Sequence, residues 1–181
     1  MNMLPLNEVV RYGQVTANGY IVAGLPHHNE NTGTVKVFDT ESGVELLHQT
    51  GQQIGDMFGT SVDLAVSGFD DGTMLLVIGA PGASSGRGMA TFLNMSDGSV
   101  IFVLPRIDDD DLQVGLSVSV TAVDMPLANL PGSSSWRVAV ASTSQVKIVS
   151  VWPDGAWTTA GILTSPTPDE SITHCAVSKA S

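Results

Sequence analysis

Short apolar runs alternate with turn residues along most of the chain, and this pattern predicts β-strands. In residues 35–38 and 146–149 a single lysine lies between apolar, mostly β-branched residues, as expected where one side of a strand is buried and the other reaches water. Asp97-Gly98 and Asp154-Gly155 are typical of tight turns, because glycine tolerates positive φ. No stretch has the period of a long helix, so the pattern predicts an all-β fold.

The strand pattern repeats at an offset of about 55 residues, which is in the range of propeller and solenoid repeats. Residues 21–26 match residues 76–81 position for position, so that Gly24 and Pro26 correspond to Gly79 and Pro81. Residues 33–38 match residues 88–93 at the same offset. Four predicted strands recur in each unit, which favours a β-propeller or part of one.

The repeat divides the chain into about three predicted blades, at residues 11–50, 54–106 and 107–164. Residues 165–181 are expected to begin or complete another blade. A closed propeller usually has about four to eight blades, so we expect the ring to be incomplete, with further blades in a longer chain.

The second unit resembles an FG-GAP repeat, the blade of the integrin α-subunit β-propeller and related proteins. Phe58-Gly59, Ser61-Val62 and Gly79-Ala80-Pro81 carry the resemblance. The first unit has Tyr12-Gly13 in place of Phe-Gly, with a much shorter spacing to Gly24-Leu25-Pro26, so either its first strand is truncated or this pairing is wrong. The third unit has Val114-Gly115. Close backbone approach gives the glycines a structural rationale.

The resemblance implies a function as well as a fold. Proteins of this kind are extracellular or cell-surface recognition modules, so we expect a non-enzymatic role in adhesion. Protein or glycan partners would bind loops on one face. The longest predicted connections are residues 25–33, 83–88 and 126–135.

Calcium is the cofactor that the resemblance suggests, but the sequence supports it poorly. The loop between the Phe-Gly and Gly-Ala-Pro strands has the adjacent carboxylates Asp70 and Asp71 rather than alternating acidic residues. Adjacent residues of an extended chain point in opposite directions, so the two carboxylates do not readily share an ion. We therefore expect a plain turn and no cofactor.

Charge and composition exclude several other functions. The 181 residues carry a formal net charge of −11, which disfavours nucleic acid and anionic membrane partners. Cys175 is the only cysteine, so no internal disulfide forms. No apolar run is long enough to span a membrane, and residues 1–10 do not resemble a signal peptide. Asn94-Met95-Ser96 is one N-glycosylation sequon, a number expected by chance.

No motif indicates catalysis. His27 and His28 are consecutive, which is unfavourable for chelating one metal, and Asp108 to Asp111 are typical of a solvated loop. A nucleophile elbow is absent from the sequence. Two alternatives stay open: a hydrolase of glycans or esters that uses carboxylates from different blades, and blades that act purely as structural spacers.

Overall fold

The computed structural model describes residues 12–15, 19–66, 73–104, 112–123, 135–165 and 171–178. Within these residues, twelve strands form three four-stranded antiparallel sheets, each built from four consecutive strands. This arrangement confirms the predicted all-β class. The weak calcium candidates Asp70 and Asp71, the acidic run Asp108 to Asp111 and residues 126–134 lie outside the described residues.

The strands have the following bounds. The first sheet comprises β1 (Tyr12–Val15), β2 (Tyr20–Leu25), β3 (Thr34–Asp39) and β4 (Glu45–Thr50). The second sheet comprises β5 (Ser61–Val66), β6 (Met74–Ala80), β7 (Met89–Asn94) and β8 (Val100–Leu104). The third sheet comprises β9 (Ser117–Val123), β10 (Ser135–Ala141), β11 (Gln145–Val151) and β12 (Trp157–Thr164). Two four-residue helical segments, α1 (His28–Asn31) and α2 (Ala83–Gly86), lie between the second and third strands of the first two sheets.

The predicted glycine turns are found between the third and fourth strands. Gly43, Gly98 and Gly155 have φ of 68°, 71° and 85°, values at which a side chain would be strained. In the first two of these turns a carboxylate, of Asp39 or Asp97, accepts hydrogen bonds from a nearby serine. Those hydrogen bonds lower the pKa of both carboxyl groups.

Neighbouring sheets pack against one another, so the second sheet buries residues on both of its faces. We call the face toward the preceding sheet the leading face and the opposite one the trailing face. One core cluster joins the trailing face of the first sheet to the leading face of the second, and includes Val22, Val35, Leu76, Ile78 and Leu93. A second cluster joins the second and third sheets and includes Val77, Phe92, Trp136, Val138 and Val149. The fourth strands β4 and β12 are mostly exposed, so the core lies on the inner strands of each sheet.

Strand register corrects one predicted equivalence. Gly24 pairs with Tyr12, Gly79 pairs with Ser61, and Ala141 pairs with Ser117. Tyr12 is therefore the counterpart of Ser61 and not of Phe58, so of the two alternatives for the first unit, the wrong pairing of Tyr12-Gly13 with Phe-Gly is the one that holds. The sequence was misleading because an aromatic residue followed by glycine is only a two-residue pattern. Such a pattern is too short to show that the alignment of the two strands is wrong by three positions.

Candidate functional site

The Phe-Gly and Gly-Ala-Pro glycines of successive units contact each other where two sheets meet. A Cβ on Gly24 would collide with the carbonyl of Gly59, and a Cβ on Gly79 would collide with the carbonyl of Gly115. Glycine at these positions thus allows the backbone of the next sheet to approach directly. Because the same contact occurs at both junctions, each sheet is seated on its predecessor in the same way.

The residues just before each first strand complete this junction. Phe58 is buried in the core between the first two sheets, and its N–H donates to the carbonyl of Thr32 at 3.2 Å. Val114 is fully buried, and its N–H donates to the carbonyl of Arg87 at 3.0 Å. Parallel bridges join Gly33 to Phe58 and Gly88 to Val114. The predicted motif residue Phe58 therefore acts in the contact between sheets.

The remaining residues of the motif also contribute to packing or to contacts between sheets. Val62, Ala80, Pro81 and Pro26 are buried. The Ser61 hydroxyl donates to the carbonyl of Gly115 at 2.8 Å, across the junction between the second and third sheets.

The loops that carry α1 and α2 have an unusual backbone that repeats between units. Asn29, Glu30 and Asn31 have φ of 49°, 56° and 65°, and their counterparts Ser84 and Ser85 have φ of 54° and 62°. Left-handed conformations cost about 1–3 kcal/mol each for residues other than glycine. The turn is held by hydrogen bonds to the next sheet, since the carbonyls of Asn31 and Gly86 accept from the N–H groups of Met57 and Gln113.

The tips of these two loops present polar side chains to solvent. Asn29, Glu30, Ser84 and Ser85 are exposed. The imidazole of His27 lies 2.7 Å from the Asn31 side-chain oxygen, within the same loop. In the third sheet only residues 142–144 connect β10 to β11, so the third sheet lacks such a loop.

A cavity of about 310 Å³ lies at the same end of the sheets, where the first strands begin. It is lined by Thr60, Ser61, Val62, Leu116, Ser117, Val118, Thr173 and His174. These residues come from equivalent positions at the start of β5, at the start of β9 and in residues 171–178. The cavity therefore combines hydroxyl groups and one imidazole with apolar Val62, Leu116 and Val118.

Most of the hydroxyl groups at this cavity already have backbone partners. Thr60 donates to the carbonyl of Met57, and Ser117 accepts a hydrogen bond from the N–H of Cys175. The His174 imidazole contacts the Thr173 hydroxyl at 3.1 Å and is exposed.

A buried carboxylate links the first strands of the second and third sheets. Asp63 is 6% exposed, and its two oxygens accept from the N–H groups of Leu64 and Val120 at 2.8 and 2.7 Å. Backbone donors of this kind stabilise a buried carboxylate that would otherwise be costly. Asp63 was not singled out by the sequence, because its single carboxylate lies in an apolar strand with no motif around it.

Cys175 packs beside the cavity, against the third sheet. Burial raises the pKa of its thiol, with the Asp63 carboxylate adding to the rise and a hydrogen bond to Ser117 opposing it. A thiol of raised pKa is a weak nucleophile at neutral pH.

The residues that the structure describes contain no group of three or more His, Cys, Asp or Glu side chains that could hold a metal ion. Nor do they include a helix with the length and hydropathy needed to cross a membrane.

Comparison with known proteins does not assign a family. A scan against protein-family models finds no match, and a search of curated proteins finds no significant relative.

Proposed function

We propose that the chain is a non-enzymatic recognition module of the FG-GAP propeller type, acting outside the cell or on its surface. Support comes from three consecutive antiparallel sheets of four strands, whose junctions repeat the same glycine contacts. A rigid repeated scaffold that carries variable loops at one end is a common basis for binding.

One observation carries the proposal: two polar loops and the cavity occur at the same end of the sheets. The first strands begin beside these loops, because the Phe58 and Val114 N–H groups bond to carbonyls of the loop residues Thr32 and Arg87. The loop tips and the cavity rim at Thr173 and His174 can therefore contact one ligand together. We call this end the loop face.

The chemistry of the loop face favours a partner that forms hydrogen bonds. Its exposed groups are one amide, two hydroxyls, one carboxylate and one imidazole, at Asn29, Glu30, Ser84, Ser85 and His174. A glycan or a polar protein surface fits this composition, because both bind through many directional polar contacts.

Loop variants test the proposal once a partner has been found with glycan arrays and cell-surface protein libraries. Asn29→Gly/Glu30→Gly and Ser84→Gly/Ser85→Gly remove the exposed side chains while keeping the left-handed backbone, which glycine adopts freely. We expect each pair to weaken binding at least about tenfold, equivalent to about 1.4 kcal/mol.

Thr158→Ala/Thr159→Ala on the exposed strand β12 is the matched control and should leave affinity unchanged. The proposal fails if the screens yield no partner, or if the loop variants bind as tightly as the control.

A further inference from the structure

A second cavity, of about 110 Å³, lies between the first two sheets, against the leading face of the second. It shares no lining residue with the cavity at the loop face. Pockets that enclose a whole small molecule usually measure about 300–1,000 Å³, so this one suits a single group of side-chain size. Its walls are mostly apolar and include Phe58, Leu93, Val100 and Val103, of which the two valines are also exposed to solvent.

One carboxylate oxygen that this cavity reaches has no hydrogen-bond donor. Asp56 is 6% exposed, and its Oδ2 accepts from the N–H groups of Gln52 and Gln53 at 3.0 and 2.9 Å. Its Oδ1 has no partner among the described residues, and it is not one of their fully enclosed polar atoms, so it is accessible from the cavity that Asp56 lines. A buried carboxylate with one open oxygen favours a cationic donor.

A hydroxyl group in the same cavity is open as well. Thr91 is 7% exposed, and its Oγ1 forms no hydrogen bond with the described residues. Buried polar side chains are nearly always hydrogen-bonded, so two open acceptors in one small cavity indicate a site for a group that carries several donors.

Strand register shows which residues take the place of Thr91 in the other two sheets. Thr91 pairs with the residue just before Gly79, and Lys36 pairs with the residue just before Gly24. Lys147 has the same register position in the third sheet. The second sheet therefore carries a short side chain where the first and the third carry a lysine.

Each of these two lysines has a partner for its ammonium group. The Nζ atom of Lys36 lies 3.6 Å from a carboxylate oxygen of Glu45, and that of Lys147 lies 5.7 Å from the centroid of the Trp157 ring. The second sheet has an anionic group at this place, the Asp56 carboxylate, but no lysine in register with the other two. The cavity lies where the stem and ammonium group of such a lysine would be.

We propose that this cavity binds the ammonium group of an external primary alkylamine. The ammonium donates to Asp56 Oδ1 and Thr91 Oγ1, and the alkyl stem lies against the apolar wall at Val103. A guanidinium group fits less well, because its bidentate pairing needs both oxygens of a carboxylate and Oδ2 of Asp56 is already in use. The formal net charge of −11 attracts cations to the chain.

Titration of the full chain with n-butylammonium chloride, followed by ¹⁵N–¹H NMR, is the first test. We expect saturable shifts of the Asp56 and Thr91 amide signals, with half-saturation at about 1 mM, which is reasonable for so small a ligand. 1-Pentanol, which has a similar size and no charge, and sodium chloride should not produce these shifts. If the shifts are absent at about 10 mM n-butylammonium, or if either control reproduces them, the cavity holds water only and the proposal is overturned.

A free amine and the lysine side chain of another protein present the same ammonium group, and N-acetyl-lysine methylamide distinguishes these two sources. Binding of this compound with an affinity similar to that of n-butylammonium supports a lysine side chain as the ligand. Binding of n-butylammonium alone supports a free amine, because the amide groups of the lysine compound are then excluded from the mouth of the cavity.

Two variants test whether binding occurs in this cavity. Asp56→Asn removes the charge while keeping an acceptor for the N–H groups of Gln52 and Gln53, and it should weaken binding at least about tenfold. Thr91→Lys supplies the ammonium group from the chain itself and should abolish binding. Asp39→Asn, in the exposed turn between β3 and β4, removes the same charge outside the cavity and should leave affinity unchanged.

Equal affinity in Asp56→Asn and in the Asp39→Asn control, or unchanged affinity in Thr91→Lys, would overturn the proposal. Circular dichroism checks that each variant is folded. Thr91→Lys decides the question if Asp56→Asn does not fold, because Thr91 donates no side-chain hydrogen bond that the substitution would remove. Neither result bears on the loop face, since the two cavities have no residue in common.

Discussion

The junction between the second and third sheets differs from the contact between the third sheet and residues 171–178. In the former, Gly79 meets Gly115, and the incoming Val114 is fully buried. In the latter, Ala141 and Thr173 occupy the two glycine positions, and the incoming Ile172 is only half-buried. The backbone hydrogen bond of the incoming residue, from Val114 to Arg87 or from Ile172 to Thr143, is retained although both glycines are lost.

This comparison separates two contributions to a sheet junction. Backbone and hydroxyl hydrogen bonds set where the incoming strand lies, while glycine sets how closely it approaches and how much apolar surface is buried. We expect the glycine junctions to contribute most of the stability, because burial scales with close approach.

The largest expected difference is between Phe58→Ala and Ile172→Ala. Phe58 is buried between two sheets, so its truncation should lower the free energy of unfolding by about 3–5 kcal/mol. Ile172 is half-buried at the weaker contact, and its truncation should cost about 1–2 kcal/mol. Urea denaturation measures both, and equal losses would show that the two contacts are equally tight.

Substitution of the small residues Gly79 and Ala141 should give the next largest difference in stability. Gly79→Ala places a methyl group against the Gly115 carbonyl, so we expect a loss of about 3 kcal/mol. Ala141→Gly removes a methyl group where no glycine is needed and should cost about 1 kcal/mol. Thermal and urea unfolding of the two variants give the comparison, and a mild Gly79→Ala variant would refute the proposed role of glycine.

Removal of the polar links made by Asp63 and by Ser119 should give losses of stability that differ less from one another. Asp63→Ala leaves the N–H groups of Leu64 and Val120 without their charged acceptor, and we expect a loss of about 2–3 kcal/mol. Ser119→Ala removes a neutral acceptor from the N–H of Val177 and should cost about 1 kcal/mol. Hydrogen exchange of the Val120 and Val177 amides provides a local measurement, and faster exchange of Val120 in the Ser119 variant would argue against separate links.

Titration of the Cys175 thiol should have the smallest effect on stability. Because burial raises its pKa in the folded chain, folding favours the protonated thiol. The resulting stability is present below the ordinary pKa of 9.0 and is lost as pH rises beyond it toward the folded value. Thiol labelling against pH should show a higher apparent pKa in native protein than in urea, and Cys175→Ser should remove the corresponding decline in stability. Equal apparent pKa values would mean that residues 171–178 do not stay on the third sheet.

Prediction from sequence succeeded where the pattern is local. Alternating apolar residues predicted the strands, and Asp97-Gly98 and Asp154-Gly155 predicted turns that the structure contains. These features depend on backbone preferences over a few residues, which a single sequence expresses directly.

Prediction was weaker where partners come from distant parts of the chain. Tyr12 was matched to Phe58, whereas strand pairing makes it the counterpart of Ser61. Neither Asp63 nor the lining of the cavity belongs to a local motif, since Thr60, Leu116 and His174 come together only when β5, β9 and residues 171–178 begin at the same end.

The sequence by itself determined the all-β character, the repeat near 55 residues and the glycines at its centre, because periodicity and glycine placement are properties of the chain. Only the tertiary structure decided what those glycines touch and that residues 171–178 lie on the third sheet. The physical reason is that these contacts join residues far apart along the chain, where packing and hydrogen bonding between sheets, rather than local preference, select the partner.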